Sequence, residues 1–580
     1  MDLIKKLGWF FRLEKKAYLF GISALSLVSL VNLLPPRIIG QVIDKIVAKE
    51  LGRGELLYQL GLLIASAFIM YGLRYLWRKF IIGTSNHLGQ ILRYRLFEHF
   101  TQMSPSFYQK YRTGDLMAHA TNDIKSVTWV AGVGVMSAVD ASITALVTLF
   151  SMFFLLDWRL TLIAILPLPF MAWGTNLIGR KNHQSFKEAQ EAFSDLNNKV
   201  QESVSGIKVS KSFGYQEAET QSFALINQQV YEKNLLASRY NALYDPLVLV
   251  FIGLSYLLTL IFGGIFINQN QFTIGNLITF ITYLDMLVWP LQALGFLFNV
   301  YQRGSVSYAR IERLLAEESQ IKEPNQALED IQNGDLTYDI SRFAYEDSAT
   351  LAQIHFTIQQ GQTLGIVGAT GSGKTTLLRL LLRELEIDQG AIYLNQEDIR
   401  RYRLKDLRSL MGYVPQEPIL FAMTIRDNIR FARPDLADEA LIEVSKLCGL
   451  YEDIIAMPAA FDTMIGEHGV SLSGGQRQRL AMCRALVLDP EILILDDSLS
   501  AVDAKTEHLI LENLKRERKG KTTIITAHRL SALAHADLIL VLENGQVKER
   551  GRHEELLSQQ GWYAKTYHSQ QLAADLKEDY

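Results

Sequence analysis

Cysteine is nearly missing from this chain: Cys448 and Cys483 are the two in 580 residues. That excludes a disulfide framework and a cysteine-based metal cluster, and it suits a reducing compartment. An excess of one charge is missing too. The 58 Lys and Arg stand against 61 Asp and Glu, for a net charge of −3. A dedicated nucleic-acid binder needs a basic surplus to neutralise phosphates, so nucleic acid is not an expected partner. Nor is the chain short of apolar residues: 49% are hydrophobic and 21% charged, which excludes a disordered protein. The length sets a prior of about four folding units. A mean hydropathy of +0.09 hides a division, because the first half is apolar and the second is not.

Six apolar stretches are long enough, or nearly so, to cross about 30 Å of hydrocarbon as helices. They cover residues 18–38, 56–77, 129–156, 160–179, 247–267 and 277–300. The first follows a basic start that holds Lys5, Lys6, Arg12, Lys15 and Lys16. A removable leader would have a shorter apolar core and a small-residue cleavage site, and five further spans argue against one. Lys and Arg concentrate in the connections 78–125 and 180–239, whereas the turns 157–159 and 268–275 are minimal or uncharged. The positive-inside tendency places both termini and the two long connections in the cytoplasm of a multi-pass protein of the cell membrane. The long connections carry helical periodicity, which predicts that membrane helices extend beyond the bilayer; two separate soluble domains are the alternative.

Polar groups inside the spans are costly and therefore informative. Asp140 lies in the third span and Asp285 in the sixth. Steps of four and three put Ile278, Thr282, Asp285, Trp289, Gln292, Phe296 and Asn299 on one helical face, and do the same for Ser137, Asp140, Thr144, Thr148 and Ser151. Such stripes either bond to neighbouring helices or line a water-accessible substrate cavity. The mixed aromatic, amide and carboxylate face of the sixth span favours the cavity, with Asp140, Asp285, Trp289, Gln292 and Phe296 as its candidate residues. Two carboxylates in a low dielectric also point to cationic cargo.

Hydropathy falls after Arg303. A short amphipathic helix is expected over 308–315, then a polar linker through Pro324 and Gly334. Beyond it strands and helices alternate, which predicts an α/β layer. Gly368-Ala369-Thr370-Gly371-Ser372-Gly373-Lys374-Thr375 fits the phosphate loop G-x-x-x-x-G-K-[ST], with an apolar strand over 363–367 before it and a helical run over 376–385 after it. The glycines let backbone N–H groups wrap phosphates at the positive end of a helix; Lys374 reaches for the β- and γ-phosphates and Thr375 for Mg²⁺. A second apolar strand, Ile492-Leu493-Ile494-Leu495, ends in Asp496-Asp497, where a nucleotide's Mg²⁺ is held.

Leu472-Ser473-Gly474-Gly475-Gln476 lies between these motifs and resembles the signature of ABC transporter ATPase domains. Other pieces follow in the family's order. Tyr345 resembles the aromatic that stacks on adenine, and Gln416 the glutamine that joins γ-phosphate and Mg²⁺ to the membrane part. Ser500-Ala501-Val502-Asp503 resembles the D-loop, His528 the switch histidine that touches γ-phosphate, and Glu467 an acidic contact just before the signature. The resemblance covers essentially the whole chain. It implies an all-α transmembrane domain of six helices, of the ABC exporter type, over 1–303 and a linker over 304–334. An α/β phosphate-loop ATPase domain with an inserted helical subdomain then occupies 335–580. It implies ATP and Mg²⁺ as cofactors. Gly368, Thr370, Gly371, Ser372, Gly373, Lys374, Thr375 and Thr376 would hold phosphate, and Thr375, Gln416 and Asp496 the metal. It also implies that two chains sandwich nucleotide head to tail, each phosphate loop facing the other chain's signature. Short coupling helices are implied at Arg112-Thr113-Gly114-Asp115-Leu116 and Gly214-Tyr215-Gln216-Glu217.

One residue departs from the family pattern. The catalytic Glu expected after the Mg²⁺ aspartate is Asp497 here. Its carboxylate arm is one methylene shorter, which predicts that this chain's own site binds ATP but hydrolyses it slowly, while the unaltered signature serves a partner. The expectation is one half of a heterodimeric exporter of amphipathic small molecules, meeting membrane lipid and a second ABC half-transporter. A homodimeric lipid flippase and a regulatory nucleotide-sensing subunit are the alternatives.

Overall fold

The computed structural model describes residues 2–324, 326–328, 331–345, 348–466 and 472–578. Glu467 lies outside them. The chain divides into two compact units, Met1–Thr101 with Thr113–Glu317 and Gln102–Arg112 with Glu318–Tyr580.

In the first unit each expected span falls inside a helical run long and apolar enough to cross a membrane: Lys15–Val47, Arg53–Gln102, Thr113–Leu156, Trp158–Ser205, Gln216–Asn268 and Ile274–Leu315. Four of these reach 44 to 53 residues, or roughly 65–80 Å at 1.5 Å per residue, about twice a bilayer core. The long connections are therefore extensions of the spans and not separate domains. Large apolar side chains stay exposed along the second span, with Phe68 at 73% and Tyr71 at 76%, as lipid contact requires. Proline marks the breaks: Pro35 and Pro36 open the helix Leu34–Val47, and Pro290 sits just inside Val288–Leu315, after an interruption at Leu287. Each ring removes a donor and clashes with the preceding turn.

The sixth run continues to Leu315, so the short helix expected over 308–315 is the end of that span, and the first unit ends at Glu317. In the first long connection the short helix is Pro105–Lys110, before the stretch 112–116 that the resemblance indicated. It groups with the second unit, and Thr113 already opens the third membrane run. The second stretch, 214–217, begins with a turn at Gly214 (φ +64) after the helix Ile207–Ser212 and runs into the helix Gln216–Ala242.

A buried carboxylate ties the extensions of the third and sixth spans. Asp123 accepts from Ser307 Oγ at 2.7 Å and Arg310 Nε at 3.0 Å, and its Oδ2 lies 2.6 Å from His119 Nδ1. Burial alone would raise this carboxyl, but the bonds from Arg310, His119 and Ser307 outweigh it and hold it below the ordinary range. A depressed carboxyl stabilises the fold above its unfolded pKa of about 4 and loses that contribution as pH falls through the folded value. Asp123→Ala is expected to lower stability by about 1–3 kcal/mol at neutral pH. Thermal unfolding should show the gap to wild type closing in acid below the unfolded carboxyl's range.

The second unit holds two sheets. β1 (Leu336–Tyr345), β2 (Ser348–Ile358), β4 (Gln389–Leu394) and β5 (Glu397–Asp398) form an antiparallel sheet in the order β2-β1-β4-β5. The larger sheet runs β10-β9-β3-β8-β7-β6. Its members are β3 (Thr363–Gly368), β6 (Met411–Val414), β7 (Ile492–Asp496), β8 (Thr522–Thr526), β9 (Leu538–Glu543) and β10 (Gln546–Gly551). All are parallel except edge strand β10. β7 explains its own unbroken apolar run: Leu493 and Leu495 enter one core, Ile492 and Ile494 the other, as a parallel sheet covered on both faces demands. Helices Ile425–Arg430, Asp438–Leu447, Tyr451–Ile455 and Gly474–Leu486 make up the inserted helical part and pack into the first of these cores.

Candidate functional site

Strand order brings the motifs together. The neighbouring parallel strands β3, β8, β7 and β6 end on one edge. They deliver in turn the phosphate loop, His528, Asp496-Asp497 and Gln416, which is why residues up to 160 positions apart converge (Gly368 to His528). Ligands bind at the carboxyl ends of strands in open α/β sheets.

The phosphate loop takes backbone angles that glycine alone adopts easily: φ is +154 at Gly368, +81 at Gly371 and +100 at Gly373, the residue before helix Lys374–Leu381. A Cβ at Gly368 would lie 2.2 Å from Leu542 O and 2.7 Å from Ser372 Oγ. Gly368→Ala must therefore push β9 away from β3. Nucleotide binding should be lost and stability should fall by about 1–3 kcal/mol, readable by equilibrium binding and thermal unfolding.

Lys374 is buried and folds back on its loop, donating to Gly368 O at 2.8 Å and Ala369 O at 3.0 Å. Burial pulls its ammonium below the ordinary lysine range, against the pull of Asp497 and Asp496. Thr375 Oγ1 donates to Asp496 Oδ1 at 3.2 Å. Thr370 is exposed and Thr376 buried. Ser372 is 4% exposed and its hydroxyl has no partner, an unmet polar atom that a bound phosphate would satisfy. Tyr345 packs edge-on against Phe343 at 5.1 Å, and its hydroxyl accepts from Arg379 at 3.4 Å on the helix that the loop begins. That places Tyr345, the expected adenine contact, against the helix that follows the phosphate loop.

The acidic end of β7 is held by residues that sequence reasoning missed. Thr526 Oγ1 donates to Asp496 Oδ1 at 2.7 Å, and the Tyr413 hydroxyl reaches Asp496 Oδ2 at 3.4 Å. Asp497 N donates to Thr526 Oγ1 at 2.9 Å and to Thr526 O at 3.1 Å. The signal for Thr526 was its place at the end of the strand before Ala527-His528. Asp497 itself is in the left-handed region, at φ +46. Its Oδ2 accepts from Gln416 Nε2 at 3.4 Å and lies 4.0 Å from His528 Nε2. Asp496, Thr375 and Gln416 offer carboxylate, hydroxyl and amide oxygens, the hard donors Mg²⁺ prefers alongside water and phosphate. Among the described residues no group of three or more His, Cys, Asp or Glu could hold a metal.

The signature forms the start of helix Gly474–Leu486. Ser473 Oγ accepts from Gln476 N at 3.2 Å and Ser473 N donates to Gln476 Oε1 at 3.0 Å, a reciprocal cap. Leu472 is buried, and Gln476 Nε2 donates to Asp453 at 3.1 Å. Gln478, another residue that sequence reasoning missed, grips the D-loop: its Oε1 accepts from Ala501 N at 3.1 Å and its Nε2 donates to Ser500 Oγ at 3.4 Å.

In the first unit a cavity of ≈ 1790 Å³ is lined by Gln292, Phe296 and Asn299, together with residues of the third, fourth and fifth spans. The other predicted members lie off its wall. Asp140 accepts from Trp289 Nε1 at 3.3 Å and Asp285 from the Tyr256 hydroxyl at 3.1 Å. The third-span stripe meets the first span, where Thr144 Oγ1 donates to Ser29 Oγ at 3.1 Å. These three contacts are interhelical hydrogen bonds.

A six-span bundle joined to a phosphate-loop ATPase domain bearing these motifs defines a membrane transport ATPase, and the chain belongs to the ABC transporter family. Residues 18–291 match the family described as the ABC transporter transmembrane region, and residues 351–500 the family described as ABC transporter. The chain is similar to the "Probable multidrug resistance ABC transporter ATP-binding/permease protein YheI" of Bacillus subtilis (strain 168), 41% identical over 98% of each chain. It is also similar to the "Multidrug resistance-like ATP-binding protein MdlA" of Escherichia coli (strain K12), 38% identical over 99% of this chain and 98% of that one. An "ATP-dependent lipid A-core flippase" of Syntrophus aciditrophicus (strain SB) is 34% identical over 83% of this chain and 80% of its own. Among solved structures, a bacterial Atm1-family ABC exporter with ATP bound matches with a TM-score of 0.80 at 25% identity, over 96% of this chain and 99% of that one. The protein is an ABC exporter, a membrane protein whose ATP-binding domain implies ATP hydrolysis coupled to transport.

Proposed function

We propose that this chain is one half of a heterodimeric exporter of amphipathic small molecules, with a slow nucleotide site of its own and a signature that completes the partner's fast one. The observation that carries this reading is Asp497. A general base must lie within about 2.6–3.2 Å of the water it polarises. The aspartate arm is shorter than glutamate's by one C–C bond, roughly 1.5 Å. The backbone cannot creep forward to compensate, because Asp497 N is bonded twice to Thr526. Misplacement by about 1 Å costs on the order of a hundredfold in rate.

The remaining parts fit a working nucleotide clamp. The phosphate loop would hold ATP, Lys374 would swing from its own carbonyls to phosphate, and Thr375, Asp496 and Gln416 would hold Mg²⁺, which neutralises charge on the transferring phosphoryl group when bound. His528 stands within reach of Asp497 and would contact the γ-phosphate. Closure of two such domains around nucleotide would switch the bundle between two packed arrangements, and hydrolysis would reset it. The basic connections support termini and ATPase domain in the cytoplasm, and the relatives named for multidrug resistance support the cargo class.

A homodimeric lipid flippase is the second reading. It is favoured by the flippase relative and by the ease with which aspartate occupies positive φ. Purification of the tagged full chain from its native host separates the two. A second half-transporter, with Glu after its magnesium aspartate and in equal amount, is expected; a chain that purifies only with itself overturns the heterodimer.

A further inference from the structure

We propose that Gln570, on the C-terminal helix Trp562–Glu578, is a positioning residue for His528. His528 lies in the short connection between β8 and the turn Leu530–Leu533. Gln570 Nε2 donates to His528 O at 2.8 Å, and Gln570 Oε1 accepts from Leu530 N at 2.9 Å. One side-chain amide thus holds the backbone on both sides of Arg529. The task needs a donor and an acceptor on a single fork, which glutamate and lysine each lack in part.

The helix that carries Gln570 is anchored at its other end. Glu549 on β10 accepts from Trp562 N at 2.6 Å and Tyr563 N at 3.2 Å. The buried Tyr563 hydroxyl lies 2.8 Å from His553 Nδ1. On the opposite side, Arg529 donates to Val502 O at 3.2 Å and to Glu507 at 2.6 Å. The loop is gripped by the C-terminal helix from one side and by the segment after Asp497 from the other. The imidazole stays half exposed, able to meet a phosphate while its backbone cannot drift.

The inference rests on His528 being the γ-phosphate contact, so the test separates the two. The readout is the preference of the full chain in lipid for ATP over ADP, measured by competition against a fluorescent nucleotide. His528→Ala should lower that preference about three- to tenfold. Gln570→Glu is isosteric and keeps the acceptor for Leu530, but sets a carboxylate oxygen against His528 O. It should lower the preference by a similar factor, with the unfolding temperature unchanged and no further loss in the double variant. A Gln570→Glu protein that keeps wild-type preference while His528→Ala loses it overturns the proposal. Should His528→Ala have no effect, the γ-phosphate reading fails, and amide hydrogen exchange over residues 527–531 decides on Gln570. Faster exchange in Gln570→Ala upholds the grip, and unchanged exchange overturns it.

Discussion

Asp497→Asn is expected to change the ATP turnover of the two-chain transporter by no more than about twofold. Glu→Gln at the matching place of the partner should lower it by about a hundredfold or more. The asymmetry follows from reach. Asp497 is held by its backbone at Thr526, and its carboxylate is met by Gln416 at 3.4 Å and approached by His528 at 4.0 Å. In the proposed heterodimer the group would organise the loops around it more than it activates water. Removing its charge should loosen those loops slightly and leave intact the fast site, which on the proposed reading belongs to the partner's phosphate loop. Steady-state phosphate release from the purified pair reads both variants. Activity that survives the partner's change and vanishes with Asp497→Asn reverses the assignment of the two sites.

Gly475→Ala is expected to lower turnover of the pair by about a hundredfold or more. A Cβ there would sit 2.8 Å from Ala501 O. The signature helix and the D-loop would have to part, and the bond from Ala501 N to Gln478 at 3.1 Å would break with them. The reciprocal cap at Ser473 and Gln476 would then present its helix N-terminus to the partner's nucleotide out of place. Lys374→Ala, by contrast, disables nucleotide binding at this chain's own loop and should leave a larger share of turnover. The comparison is informative because both residues lie in one chain, and on the proposed reading one serves its own nucleotide and the other a neighbour's. A Lys374→Ala loss deeper than that of Gly475→Ala contradicts the division of labour.

Much of this is legible in the sequence, and the reasons are physical. Membrane spans announce themselves because lipid tolerates few charges, so six apolar runs mapped onto six helices. Their true lengths were less visible: the extensions are amphipathic, and proline marks where a helix bends without saying where it stops. The sixth span therefore swallowed the helix expected over 308–315. In the ATPase unit, glycine spacing and the acid after an apolar strand fixed the chemistry, since backbone geometry at Gly368 and Gly373 leaves little choice of residue. Residues acting by hydrogen bond alone stayed hidden. Thr526, Gln478 and Gln570 reach partners on other elements, and no periodicity or spacing encodes such a pairing. A polar group inside a span reads the same whether it faces cargo or a neighbouring helix, and Asp140 and Asp285 are bonded to Trp289 and Tyr256.

ATP turnover by the full chain purified without any second half-transporter, reconstituted in lipid, tests the short carboxylate arm most directly. The account predicts nucleotide binding with turnover about a hundredfold below that of the pair, and a rise when Asp497→Glu restores the missing methylene. Rapid turnover and transport by the unaltered chain alone, with no gain from Asp497→Glu, would contradict it.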